Sequence, residues 1–266
     1  MNRIDKKFKQ LRKEKKKAFI AYITAGDPDL SATKKIVLTL EGAGVDIIEL
    51  GIPFSDPLAD GPIIQAASHR ALQKGVTLKK IFSTVGSLRN VTDIPITFMT
   101  YFNPVLRYGI GNFIRDCKRN DVDGVIIPDL PVEEAKSLIG YAKKAGIAAI
   151  FLSAPTSTLP RIKNIVKNST GFIYYVSLTG VTGARAKLPA EVISKVKLIK
   201  SNTKKPVAVG FGVSNKEQAR GIAKAADGVI VGSAIVKIID GIKDKNKMLL
   251  KVSRFSKDLA RAIHSA

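Results

Sequence analysis

The sequence predicts an α/β protein folded as a closed (β/α)8 barrel, the TIM-barrel class, with an extra N-terminal helix and additional helices. Three observations carry this expectation. Eight short, β-compatible apolar runs alternate with longer amphipathic segments almost to the C-terminus. Strands that alternate with helices need right-handed βαβ crossovers, which give a parallel sheet covered by helices. The length of 266 residues suits one such barrel as a single domain over residues 1–266, with no linker or low-complexity block to divide it. An open, doubly wound sheet is the alternative, since periodicity alone does not make a sheet close.

The chain begins with a helix whose apolar stripe is Ile4, Phe8 and Leu11, a candidate plug for the bottom of the barrel. Strand runs follow at 18–24 (AFIAYIT), 45–50 (VDIIEL), 95–100 (PITFMT), 123–128 (DGVIIP), 147–152 (IAAIFL), 172–177 (FIYYVS), 206–210 (PVAVG) and 227–231 (DGVIV). Between them, segments 31–43, 132–145 and 215–225 carry apolar residues at helical spacing. Further helical matter at 78–88 and 235–263 decorates the barrel.

A hydrophobic content of 45% and a charged content of 25% fit a soluble globular protein. No run is long enough for a membrane span, and the charged N-terminus lacks the apolar core of a secretory signal. The single Cys117 supports neither a disulfide framework nor a metal cluster, so no metal and a cytoplasmic setting are expected. The net charge of +22 admits a phosphate backbone as partner. Two features weigh against a specific nucleic-acid role. The basic residues run from Lys6 to Arg261, densest at Lys13, Lys15, Lys16 and Lys17, and the 6% aromatic content gives no RNA-binding signature. His69 and His264 belong to no partner motif, and Cys117 reads as a packed small residue.

In a parallel barrel, reacting groups collect at the C-terminal ends of strands and in the loops that follow. Val45, Ile47 and Glu49 share one face of the second run by the period of two, so inward-pointing Val45 and Ile47 would bring Glu49 inward as well. A carboxyl among apolar walls has a raised pKa and can exchange a proton near neutrality; the alternative is a structural Glu paired with an Arg or Lys. In the next loop, Pro53, Pro57 and Pro62 fix φ and hold Asp56 and Asp60 in place. Asp60, just before Gly61 and Pro62, suits a helix cap and a catalytic acid equally. Gly210–Gly212–Ser214 and Gly232–Ser233 follow the seventh and eighth runs, where barrels hold phosphate on backbone amides and a helix N-terminus. The segment Gly180–Val181–Thr182–Gly183 is either a closing lid with glycine hinges or an ordinary surface loop.

At these residues the chain resembles the α subunit of tryptophan synthase. The segment ELGIPFSDPLADG (49–61) matches that family's signature throughout. AGDP (25–28), PDLPVEE (128–134), GVTG (180–183), GFGVS (210–214) and VGSAIV (231–236) follow in the family's order. The resemblance implies retro-aldol cleavage of indole-3-glycerol phosphate to indole and glyceraldehyde 3-phosphate, without a cofactor. It gives Glu49 the proton transfers and Asp60 the charge at the indole N–H. Eight residues before Thr182 stands Tyr174, which takes the place of the family's active-site tyrosine, with Tyr175 on the opposite face. Phosphate ligands fall on Gly183, Gly212, Gly232 and Ser233. The indole pocket falls on Tyr22, Met99, Ile126, Phe211 and Ile230, with Tyr22 and Met99 standing where some relatives have phenylalanine and leucine. Thr182 is expected to bond Asp60 on loop closure.

The resemblance also implies an αββα heterotetramer that passes indole to a β subunit, where the pyridoxal phosphate resides. Pro53, Phe54, Asp56 and Pro57 would make the partner contact. Two rivals are a stand-alone lyase releasing free indole, which would use the same residues, and a basic barrel that binds polyanions without catalysis.

Overall fold

The computed structural model describes residues 1–176, 190–210 and 212–266. Its strands are β1 (Ala18–Thr24), β2 (Ile47–Gly51), β3 (Ile96–Met99), β4 (Gly124–Ile126), β5 (Ala148–Ile150), β6 (Leu152–Ser153), β7 (Ile173–Val176), β8 (Val207–Gly210) and β9 (Gly228–Val231). All their pairings are parallel, in the order β5-β4-β3-β2-β1-β9-β8-β7-β6. Only Phe151 separates β5 from β6, so the two ends of that order meet in the chain. The first piece bonds β4 and the second bonds β7, and the ring closes with eight staves. An open sheet is thereby excluded.

Around the ring lie α1 (Arg3–Lys13), α2 (Leu30–Gly42), α3 (Pro62–Gln73), α4 (Leu78–Leu88), α5 (Phe102–Tyr108), α6 (Ile110–Arg119), α7 (Lys136–Ala145), α8 (Leu159–Asn168), α9 (Ala190–Ser201), α10 (Lys216–Ala225), α11 (Ser233–Asp240) and α12 (Lys245–His264). Several start where a short polar side chain satisfies an open amide: Asn2 for α1, Asp29 for α2, Asn215 for α10 and Asp244 for α12. The helix expected over 132–145 begins only at Lys136, because Pro131 and Val132 carbonyls are taken up in turns. The basic cluster likewise outlasts its helix, since α1 stops at Lys13 and Lys15 sits at φ 55°.

Strand alternation sorts the core into two layers. Phe19, Ile23, Ile48, Phe98 and Val229 face outward and pack under the helices. Ile20, Ile47, Ile126, Ile150, Tyr174 and Ile230 face the barrel interior. Near the strand starts the inward positions are small: Ala18, Gly124, Ala148, Ala208 and Gly228. The space they leave is filled from below by Ile4, Phe8 and Leu11 of α1. A methyl group built on Gly124 would lie 3.1 Å from Ile4 Cδ1, and Phe8 stacks on Phe172 at 5.8 Å. The stripe therefore plugs the floor as its spacing suggested. Val45, however, packs outward, because it precedes β2 in the turn after α2 and its amide bonds Leu40 O. The period of two begins only at Ile47.

Three acids stitch the floor. Asp46, Asp123 and Asp227 each stand just before a strand and accept an amide from the neighbouring stave: Phe19 at 2.8 Å, Ile96 at 2.9 Å and Val207 at 3.0 Å. Each also meets a basic group: His264 at 2.9 Å, Arg89 at 2.8 Å with Arg3 at 3.2 Å, and Lys200 at 2.7 Å.

Candidate active site

At the other end of the barrel, β2 places Glu49 on the inner face between Tyr22 of β1 and Thr97 of β3. The side chain is 1% exposed, and neither carboxyl oxygen has a hydrogen-bond partner among the described residues. The paired, structural reading of Glu49 finds no Arg or Lys bonded to it among the described residues. Burial, followed by the nearby charge of Asp60, pushes its pKa up to about 8. At neutrality it is mainly a neutral acid with a proton to give.

Asp60 comes from the proline-stiffened loop and is half-buried. It does not cap α3: Gly61 holds that position and makes no side-chain hydrogen bond. Burial raises the Asp60 pKa to about 6, and the nearby Tyr101 hydroxyl works against that rise. Tyr101 Oη also accepts the Ala59 amide at 2.9 Å, and its ring lies 5.4 Å from that of Phe54. This tyrosine therefore holds the loop at both ends. Sequence reasoning missed it, although its position two residues beyond β3, at the C-terminal end of a stave, is a signal for a functional group.

Of the other expected residues, the barrel brings several together. Tyr174 faces inward and Tyr175 outward, as their alternation requires. Burial and the charges of Glu49 and Asp60 raise the Tyr174 pKa. Met99, Ile126 and Ile230 line the same interior. Tyr22 packs there with Ala67 and Val236, and its ring fixes two glycines. A methyl built on Gly51 would meet Tyr22 Oη at 2.2 Å, and one on Gly232 would meet Tyr22 Cβ at 3.2 Å. Gly232 begins α11 without a side-chain cap, so the amides of Ser233 and the next residue open toward the same end. Gly212 has φ 55°, the left-handed region. Thr182, Gly183 and Phe211 lie outside the described residues. Pro53 is buried, Phe54 and Pro57 are half-buried, and Asp56 is exposed beside Leu58, which is 92% exposed.

The family model for the tryptophan synthase alpha chain matches residues 8–264. The chain belongs to the tryptophan synthase α-chain family. The tryptophan synthase alpha chain of Caldanaerobacter subterraneus subsp. tengcongensis is 52% identical over 96% of this chain and 97% of its own length. That of Thermoanaerobacter sp. (strain X514) is 49% identical over 99% and 100%. Among solved structures, tryptophan synthase subunit alpha from Legionella pneumophila superposes with a TM-score of 0.92 at 36% identity, covering 99% of this chain and 98% of that one. The ligand-free tryptophan synthase structure from M. tuberculosis gives a TM-score of 0.88 at 34% identity, with 99% of each chain covered.

A cleft of about 690 Å³ lies at the opposite end, between α1 and the floor. Its buried acid, Asp123, is held by Arg3 and Arg89, whereas Glu49 has no hydrogen-bond partner among the described residues. Among the described residues no group of His, Cys, Asp or Glu is placed to hold a metal ion, and no helix is long and apolar enough to cross a membrane.

Proposed function

We propose that Glu49 is the proton-transfer group and Asp60 the electrostatic partner of the α reaction of tryptophan synthase. The chain is an α subunit acting in tryptophan biosynthesis; it cleaves indole-3-glycerol phosphate to indole and glyceraldehyde 3-phosphate, a carbon–carbon lyase reaction. The α reaction uses no cofactor, and pyridoxal phosphate belongs to the β subunit that is its partner. The observation that carries the residue assignment is the buried Glu49 carboxyl, without a partner among the described residues, beside a second carboxyl of lower pKa.

Protonated Glu49 delivers its proton to indole C3 and turns the ring into an indolenine. The C=N bond accepts the electron pair of the breaking carbon–carbon bond, while the side-chain hydroxyl gives up its proton to the Glu49 carboxylate, which is thereby reprotonated, and becomes the aldehyde. Ionised Asp60 stabilises the positive charge at the ring nitrogen. Different surroundings keep one acid protonated and the other ionised near pH 7. Tyr174, Tyr22, Met99, Ile126 and Ile230 wall the indole. The open amides at Gly232 and Ser233, with Gly212, suit the phosphate. Phe211, Gly183 and Thr182 take the pocket, phosphate and closure roles of the family motif. The exposed rim around Asp56 and Pro57, with Pro53 and Phe54 behind it, suits the β-subunit contact. Residues 1–266 act as one domain in the cytoplasm, a setting consistent with a single buried cysteine.

The test is indole release from indole-3-glycerol phosphate, measured with and without a β subunit. A low rate alone that rises sharply with β supports the synthase role, and high solitary turnover favours a stand-alone lyase. Retained cleavage in Glu49→Gln would remove Glu49 from the proton transfers.

A further inference from the structure

α3 and α11 pack against each other around the site, with Ala67 and Val236 both touching Tyr22. Both helices start at the catalytic end. α3 begins just after Asp60, and α11 begins at the amides read above as the phosphate anchor. Further down, one guanidinium joins them. Arg70 of α3 grips Asp27 through two parallel bonds, Nε to Oδ1 at 2.9 Å and Nη2 to Oδ2 at 2.7 Å. Its remaining nitrogen, Nη1, reaches Asp240, the last residue of α11, at 3.0 Å.

The two acids differ. Asp27 lies in the loop after β1 and is 4% exposed, whereas the Asp240 side chain is 53% exposed. The Asp27 arm is therefore a fixed anchor on the barrel, and the fork geometry of the guanidinium sets its direction. Lys74, at the end of the same helix, bonds Pro28 O at 2.7 Å and repeats the anchor. From Pro62 to Arg70 the helix rises about 12 Å, and α11 rises about 10 Å from Ser233 to Asp240, so the tie acts about two turns from the start of each.

We propose that Arg70 is a positioning residue for cleavage. By bridging Asp27 and Asp240 it sets the spacing between the Asp60 end of α3 and the phosphate-holding start of α11. A substrate gripped at both its indole and its phosphate ends is aligned only when that spacing is right, and small displacements cost large factors in rate. A ligand that uses one end alone does not sense the spacing. The inference rests on the proposed phosphate and Asp60 roles.

The experiment uses the full chain and two variants, Arg70→Lys, which cannot grip both acids in a fork, and Asp240→Ala, which cuts only the exposed arm. Inorganic phosphate and indole serve as one-ended probes, and rates are normalised to the number of phosphate-binding sites. The expected result is a fall in kcat of about tenfold for Arg70→Lys and about threefold for Asp240→Ala, with KM and both probe affinities within about twofold of the parent. Unchanged kcat in Asp240→Ala overturns the proposal, even if Arg70→Lys fails to fold. A parallel loss of phosphate affinity and kcat also overturns it, because that pattern means one end has been damaged. If phosphate does not compete with substrate in the parent chain, the phosphate assignment itself fails and the tie has no end to position.

Discussion

Each end of the barrel buries a carboxyl, and the two are treated in opposite ways. At the floor, Asp123 is 4% exposed but accepts the Ile96 amide and meets Arg89 and Arg3; Asp46 and Asp227 repeat the arrangement. At the catalytic end, Glu49 is equally buried and has no such partner among the described residues. A floor acid supplies the amide-to-carboxylate bonds that fix where a stave starts. Glu49 supplies nothing to the fold. In its proposed role the desolvation of this carboxyl is a cost carried for chemistry, and the rest of the barrel must offset it.

Exchanging Glu49 for Gln breaks this comparison most sharply. Indole release is expected to fall by about 10³-fold, within the range for losing a general acid. Stability should move the other way. The folded Glu49 pKa of about 8 lies above its ordinary 4.5, so the folded chain keeps a proton that the unfolded chain loses as pH rises. Its contribution is fully present below about pH 4.5 and is lost as pH rises toward 8. Gln has no proton to lose, so Glu49→Gln should gain up to about 4 kcal/mol over the parent at pH 8 and little at pH 4.5. Denaturant melts at both pH values check this, and an equal effect at both would remove the pKa argument.

The reverse result is expected at the floor. Arg89→Gln leaves Asp123 with Arg3 as its remaining cationic partner and should cost about 3 kcal/mol. The kcat per folded molecule should stay near that of the parent, because the change lies at the far end of the barrel. Chemical denaturation and site-normalised turnover separate the two quantities. A large loss of kcat per site would mean that the two ends are coupled.

The floor was more legible in the sequence than the site. The stripe Ile4, Phe8 and Leu11 is a pattern of period, and the plug was read from it, whereas the small inward residues Gly124, Ala148 and Ala208 that make room for it emerge only with the strand register. Every strand run was recognisable for the same reason, and only its ends moved. Val45 was misplaced because the alternation does not extend into the turn after α2. The division at Phe151 was invisible, since the change of bonding partner from β4 to β7 leaves no mark on hydrophobicity. At the catalytic end, Asp60 before Gly61 and Pro62 fitted two roles equally until Gly61 proved to be the cap. Arg70 and Tyr101 were missed because each acts on residues distant in sequence, and no local motif carries that information. The motif resemblance supplied the reaction; spacing alone gave only an inward acid.

The pH profile sharpens the comparison, because the two acids of the catalytic end are poised on either side of neutrality. The proposed roles need Asp60 ionised and Glu49 protonated. Activity should rise as pH climbs through about 6 and fall as it passes about 8, giving a bell in kcat/KM. The two acids interact, so these limbs belong to the pair. A flat profile from pH 5 to 9 would contradict the division of roles.

Tyr101→Phe should give the smallest effect and the most specific one. Its hydroxyl opposes the upward push of burial on the Asp60 pKa and receives the Ala59 amide. Removing it takes away that support of the ionised form and a loop hydrogen bond worth about 1 kcal/mol, so kcat/KM near pH 7 should fall about fivefold. Burial then acts on Asp60 with less opposition, and its pKa moves further up. The acid limb of the bell should therefore shift above pH 6 while the alkaline limb, set by Glu49, stays in place. A tyrosine that served only to pack the loop against Phe54 would lower activity equally at every pH. Movement of one limb alone shows that the hydroxyl, rather than the ring, is what the catalytic end requires at this position.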